Sequence, residues 1–306
     1  MLSDPVPYYS ISIHPGTINV YYQTIGGKGS PGRSPGLPTQ FKNNKHNGKI
    51  SLIAKRKIKK GLDYMLFLAK PKKLPNSRSG KKQTFKLNFI TLDLSSDQVH
   101  TDQEIKRQIL HPFLIEARKK WNINIYLWKA EKQKIGRIHF HIITDKFIPW
   151  WELRNVWNKH QQTLGYVTVY REDRQLWHRE GFKYAPEYAP RWNRAAQMRA
   201  YHDGLRTDWD NPNSVDIHKT RHIVNQKAYF SKEISKTPDL AATNRQEEKC
   251  PVCGGTMVTV EGNFRCNDCL YSKTHVSGML WGCSVLLTNL RGGDAICDEN
   301  FSEELE

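Results

Sequence analysis

The chain has 306 residues, 38% hydrophobic and 11% aromatic, enough for one large domain or two to three smaller ones and too apolar for a wholly disordered polymer. Lys and Arg outnumber Asp and Glu by 47 to 30, a formal charge of +17, which points to a polyanionic partner, most often nucleic acid. With no run of 18 apolar residues and no basic-then-apolar leader in "MLSDPVPYYS", no membrane span or secretion signal is expected; the expected location is the cytoplasm, where six cysteines stay reduced or bind metal.

In chain order, "SISIH" and "TINVYYQ" read as short strands, and "GGKGSPGRSPGLP" at 26–38 has the composition of a loop or linker. Residues 42–86 carry 15 Lys and Arg against one acid, Asp63. Within them Ile50, Ile53, Ile58, Leu62 and Leu66 recur roughly as one helix face, which turns the basic residues outward, toward solvent or phosphates. "TFKLNFITLDL" at 84–94 reads as a strand, 101–120 as a helix, and "NINIYLWKAE" and "GRIHFHIITD" as two more strands. Pro149 suits the first position of a helix whose apolar face is Trp150, Leu153 and Trp157, and Gly165 suits its stop. "YVTVY" and "SVDIH" read as strands and "RHIVNQKAYFSKEISK" as a helix. Hairpins mixed with helices, rather than strict alternation, give an α+β fold with a central antiparallel sheet flanked by helices. The expected divisions are a basic region at 1–83, the main domain at 84–240, a small cysteine module at 246–272 and a tail at 273–306.

The chemistry concentrates in "HFH". Side chains alternate along a strand, so His139 and His141 share one face while Ile138, Phe140 and Ile142 share the other. An isolated pair of this kind also fits an amphipathic strand with histidines toward solvent. The preceding strand, however, ends at Glu131, and "KQKIG" is short enough for a hairpin. Opposite Arg137 or opposite His139, Glu131 lands on the histidine face in either register. Two imidazoles and a carboxylate form a three-ligand set with open positions, suited to Mg²⁺ or Mn²⁺ polarising a phosphate, although the nitrogens also attract transition metals.

"FITLDL" at 89–94, Glu131 with "HFH", and "AYFSK" at 228–232 follow one another as do the three motifs of HUH-superfamily rolling-circle replication initiators, which this chain resembles over about 84–236. It is similar above all to the replication-associated proteins of small single-stranded DNA phages and bacterial plasmids. The resemblance implies an HUH endonuclease fold and a bacterial host cell. It also implies a divalent ion on Glu131, His139 and His141, and a nucleophile, Tyr229, that forms a covalent 5′-phosphotyrosine. Lys232, three residues on and so on the same helix face, would position the strand or offset phosphate charge. The implied partners are single-stranded DNA, an origin stem-loop, and a host helicase and polymerase, since the chain has no GxxxxGK[ST] loop of its own. No third histidine follows "HFHIITD", which favours initiators over relaxases. Tyr184 and Tyr188 in "KYAPEYAP" lack the lysine spacing and are assigned to packing or a loop. A single-tyrosine transposase carries the same motifs. A non-catalytic zinc-ribbon DNA-binding protein is the reading from another class.

"CPVCGGTMVTVEGNFRCNDC" is C-x2-C, twelve residues, C-x2-C. Four thiolates at Cys250, Cys253, Cys266 and Cys269 suit a structural Zn²⁺ in a ribbon, with Gly254 and Gly255 at the first turn and "TMVTV" as a strand. Such a ribbon would grip DNA or dock a protein. Cys283 and Cys297 fall outside the spacing and read as small buried residues, and the acidic end from 294 as solvated.

Overall fold

The computed structural model describes residues 6–14, 17–25, 50–75, 82–189, 192–218, 249–260, 263–269, 271–289 and 293–296. The chain is α+β, built on a five-stranded antiparallel sheet. Strands β1 (Val6–His14) and β2 (Thr17–Ile25) form a hairpin, followed by helix α1 (Leu52–Leu68) and the short pair β3 (Lys72–Pro75) and β4 (Lys82–Phe85). The main sheet starts with β5 (Asn88–Asp93). After it come α2 (Asp102–Ile105), a π-helical turn at Lys106–Leu110, and α3 (His111–Trp121). Strands β6 (Tyr126–Lys132) and β7 (Ile138–Thr144) precede α4 (Trp150–Gln162), α5 (Tyr166–Trp177), α6 (Arg194–Thr207) and β8 (Val215–His218). Strands β9 (Met257–Val260) and β10 (Asn263–Cys266), β11 (Trp281–Cys283), α7 (Val285–Asn289) and β12 (Gly293–Ile296) complete the order. The sheet runs β11–β6–β7–β5–β8, and β12 pairs separately with β1. Among the described residues no helix is long and apolar enough to cross a membrane.

Strand alternation sorts this sheet into two chemically distinct faces. Ile90, Leu92, Trp128, Ala130, Ile138, Phe140 and Ile142 point to one side and are buried. There Trp157 of α4 meets Phe140 and Phe113 edge-on, at ring separations of 6.1 and 5.3 Å. The opposite face carries Thr91, Asp93, Lys129, Glu131, His139 and His141. Helix α1 closes one end of that second face: its Ile58, Leu62 and Met65 are buried, and Gly61 lies where an added Cβ would stand 3.7 Å from Leu127. The helical periodicity is as expected and its Arg56, Lys57, Lys59 and Lys60 are exposed, but Ile53, assigned to the apolar face, is 67% exposed. The apolar stripe shifts to Ile58, Gly61, Leu62 and Met65, where glycine allows close approach to the sheet.

Several expectations change. "YVTVY" is the first turn and a half of α5, not a strand. Tyr166 and Val167 are buried, Tyr170 and Arg171 half-buried and Val169 exposed, a helical spacing, and β-propensity yields to that packing. Trp150 sits 53% exposed under the Arg154 guanidinium, so α4 buries Leu153, Val156 and Trp157 instead. Pro149 is the cap preceding that helix rather than its first residue. The helix expected at 101–120 forms, opened by a Thr101–Glu104 capping box. It widens at 106–110, because Pro112 has no N–H and its ring would clash with a carbonyl one α-turn back. Cys283 is half-buried in an edge strand, not a core residue. Residues 281–283, assigned to the tail, pair with β6, and α1 from the basic region shares the main core.

One buried ion pair ties the elements together at the hairpin end. Lys132 donates to Asp102 at 2.7 Å, and their side chains are 0% and 1% exposed. Gln98 completes the set: it donates to Asp102 at 2.8 Å and accepts from Lys132 at 3.1 Å and from the Ile138 N–H at 2.7 Å. Asp102→Ala should cost about 3–5 kcal/mol in urea unfolding, because it strands an ammonium with no anion beside it. Replacing both partners with apolar residues should cost far less.

A candidate metal centre on the sheet face

The β6–β7 hairpin pairs Glu131 with His139 and Lys129 with His141; β5 sets Thr91 beside His141 and Asp93 beside His139. Of the two registers open to the sequence, the hairpin takes the one with Glu131 opposite His139. Gly136, at φ +88°, makes the tight turn. Glu131, His139 and His141 then offer ligand atoms within 4.8 Å of one another and form a group that could hold a metal ion. Glu131 Oε1 lies 2.9 Å from His139 Nε2 and 2.7 Å from His141 Nε2. Lys129 donates to Oε2 at 2.6 Å, which leaves Oε1 turned to the imidazoles.

Behind the imidazoles stand two residues of the first motif. Thr91 Oγ1 is 3.1 Å from His141 Nδ1, and Asp93 Oδ1 is 3.4 Å from His139 Nδ1. Gln133 donates to that Asp93 oxygen at 2.7 Å and holds it in place. Partners on both Nδ1 atoms leave both Nε2 atoms for an ion, the arrangement that orients histidine ligands in metal sites. Sequence reasoning did not single out Thr91, Asp93, Lys129 or Gln133. Their signal was parity: Thr91, Asp93 and Lys129 are odd-numbered on paired strands and Gln133 follows directly on one, which becomes informative only once strand order is known.

The electrostatics agree. Burial disfavours charge on Glu131, but hydrogen bonds from His139 and His141 and the Lys129 ammonium outweigh it and hold the carboxyl well below its usual range. Burial also opposes charge on His139, yet Asp93 and Glu131 on its two sides raise its pKa. His141 stays below the ordinary value, chiefly through burial and despite Glu131. Tyr229 and Lys232 lie outside the described residues. Tyr184 and Tyr188 are 37% and 60% exposed around a single 3₁₀ turn.

The second constellation is the four-cysteine module. Cys250 and Cys269 sulfurs are 3.6 Å apart, Cys253 and Cys266 3.5 Å, and all four lie within 4.8 Å. Tetrahedral zinc with ligands at ~2.3 Å requires sulfur separations of ~3.8 Å. The N–H groups of Val252 and Asp268 donate to Cys250 and Cys266 Sγ at 3.4 Å, tightening each knuckle. Burial works against thiolate formation at Cys266, but backbone N–H groups of Cys269 and Asp268 outweigh it and bring the thiol down to about 7. Gly254 holds φ +74°, and any side chain at Gly255 would collide with the Asp268 carboxylate.

This module rests on the hairpin that carries the ligands. Tyr271 donates to the Gly136 carbonyl at 3.3 Å, and the Lys132 ammonium sits 4.7 Å over its ring. Beyond it, Ser277 N–H donates to Asp102 at 2.8 Å, and Lys106 donates to the Ser277 and Met279 carbonyls at 2.5 and 2.9 Å. No family model, curated protein or solved structure matches the chain.

Proposed function

We propose that this chain is a metal-dependent endonuclease and strand transferase that nicks and rejoins single-stranded origin DNA to start rolling-circle replication. The observation that carries the reading is the convergence of Glu131, His139 and His141, with Thr91 and Asp93 of the first motif against their Nδ1 atoms. The donor set fits a divalent ion: two imidazole nitrogens and one carboxylate oxygen favour Mn²⁺ or a similar first-row ion over Mg²⁺, which takes oxygen ligands. Bound there, the ion supplies Lewis-acid polarisation of a non-bridging phosphate oxygen.

The protein's own groups do the rest. Lys129 keeps Glu131 ionised, and Asp93 and Thr91 fix the ring orientations of His139 and His141. Tyr229 is the proposed nucleophile. A phenol is a weak one at its ordinary pKa near ~10, so it depends on an activated phosphodiester. Its oxygen bonds to phosphorus, the P–O3′ bond breaks, and the leaving oxygen takes a proton to become a 3′-OH able to prime synthesis. The phenol proton passes to solvent or a nearby base. Rejoining reverses these bonds, with a 3′-OH displacing the tyrosine. Lys232 offsets phosphate charge. The four-cysteine module is a zinc ribbon that braces the hairpin.

Tyr229→Phe tests the reading. Denaturing electrophoresis of wild type with 3′-labelled single-stranded origin DNA and Mn²⁺ should show a discrete labelled protein band. In Tyr229→Phe the band and the nick should vanish together while DNA affinity is kept. A band surviving in Tyr229→Phe but lost in Tyr184→Phe or Tyr188→Phe would move the nucleophile. A wild type that binds but never cuts would leave a DNA-binding protein.

A further inference from the structure

We propose that a single DNA strand lies along β7 on the ligand face, its backbone gripped by Arg137 at the hairpin end and by the outer face of α1 at the other. The proposal rests on reading that face as a phosphodiester site, and it assigns the flanking contacts.

Arg137 comes two residues before His139, about 7 Å along the strand. The Gln133 N–H donates to its carbonyl at 2.8 Å, so the hairpin register continues and places Arg137 on the same face as Glu131 and His139. Its Nε is buried and has no hydrogen-bond partner among the described residues. Two carboxylates on the face are already engaged: Asp93 by Gln133 and His139, Glu131 by Lys129, His139 and His141. A guanidinium on this face, with Asp93 and Glu131 engaged elsewhere, suits an oxyanion from outside, and a phosphate matches its planar fork.

At the opposite end α1 crosses Leu127, four residues from Glu131 on the same face. Its Arg56, Lys57, Lys59 and Lys60 are exposed, and among the described residues none meets a carboxylate; Lys60 lies 6.0 Å from the Tyr64 ring. Along β7 the order is Arg137, His139, His141 and then Ile143, which pairs with the Leu127 beneath α1. That path is about 20 Å, and the Arg56–Lys60 stretch of α1 adds about 6 Å of cationic surface along the helix axis. The ligands therefore fall between two anchors. Nicking followed by rejoining needs that arrangement, because the end carrying the free 3′-OH must stay held while the other is bound to the protein.

The test uses the full zinc-loaded chain with no added Mn²⁺ and no chelator, with fluorescence anisotropy of a thirty-nucleotide oligo-dT across a salt series. Each phosphate contact on a single strand contributes ~0.7 to the slope of log affinity against log salt. Arg137→Gln should lower the slope by about 0.7 and the triple variant Lys57→Gln, Lys59→Gln, Lys60→Gln by about 2, with the two losses adding. An unchanged slope in either overturns the assignment. If Arg137→Gln also lowers the melting temperature, Arg137→Lys decides: a wild-type slope supports the phosphate contact, and a slope as low as the glutamine variant's overturns it. On an oligonucleotide that wild type nicks, trimming one side of the nick should abolish the deficit of Arg137→Gln, and trimming the other that of the triple variant. Both deficits vanishing on the same side would overturn the path. A wild type that cuts no oligonucleotide would sink the nuclease reading and leave the slope result standing.

Discussion

His141→Ala is expected to lose Mn²⁺ uptake at the sheet face and, with it, strand cleavage by about 10³-fold or more, since a lost Lewis acid removes several kcal/mol of transition-state stabilisation. Two ligands, Glu131 and His139, remain, and they are the pair that the Lys129 ammonium and the Asp93 carboxylate already engage. Affinity for single-stranded DNA should stay within about 2-fold, because backbone contacts from Lys and Arg dominate it. Titration calorimetry with Mn²⁺ reads the first effect and an oligonucleotide cleavage assay the second. Thr91→Val makes a graded comparison: it removes only the hydroxyl behind His141 and should cost about 10–100-fold. Acid should mimic the ligand loss. An ion requires neutral imidazoles, and the raised pKa of His139 means that its proton competes with the ion at higher pH than an ordinary histidine's would. Metal affinity should therefore fall as pH drops through that value. Full cleavage by His141→Ala, or by wild type in excess EDTA, would dispose of the metal assignment.

The double variant Cys250→Ser, Cys253→Ser should release one metal equivalent per chain and unfold the ribbon. Its own core is small: Met257, Phe264 and Tyr271 with two of the cysteines. Structural zinc supplies about 10–16 kcal/mol in units of this kind, more than such a core provides. The damage should spread to the main domain, because Tyr271 and the segment after it engage Gly136, Lys132 and Asp102. A lower urea midpoint for the sheet and faster amide exchange at Ile138 are the expected signatures. Atomic absorption checks the metal directly, and unchanged zinc content would remove the four-cysteine site.

The parts legible in the sequence were those set by strong local periodicity. Alternation in "IHFHI" put the two histidines on one face, and a short turn brought Glu131 to them whichever register formed. Cysteine spacing converged the four thiols without any knowledge of the fold. What stayed hidden was set by tertiary neighbours. "YVTVY" alternates as a strand does, and only the burial of Tyr166, its hydroxyl 3.1 Å from His100, turns it into a helix. Trp150 looked like core because tryptophan is apolar, yet an arginine one turn on covers its ring. Thr91 and Asp93 were visible as part of a motif, but their roles depend on β5 lying beside β7, and local pattern does not encode strand order. The edge strand at 281–283 is three residues long, too short for periodicity to register.

The placement of that edge strand has a consequence for when the protein becomes whole during synthesis. Glu131, His139 and His141 leave the ribosome early, but the contacts that close the sheet's edge and brace the hairpin come from Tyr271, Ser277 and Trp281–Cys283. These follow about 140 residues after His141, an interval of roughly 7–30 s at translation rates of about 5–20 residues per second. During that interval β6 presents an unpaired strand edge, and Asp102 and Lys132 lack the segment that seals them. The nascent chain therefore passes through a stage in which the ligands exist but their mounting does not, and the time taken to translate the residues between His141 and Cys283 sets how long the edge stays open.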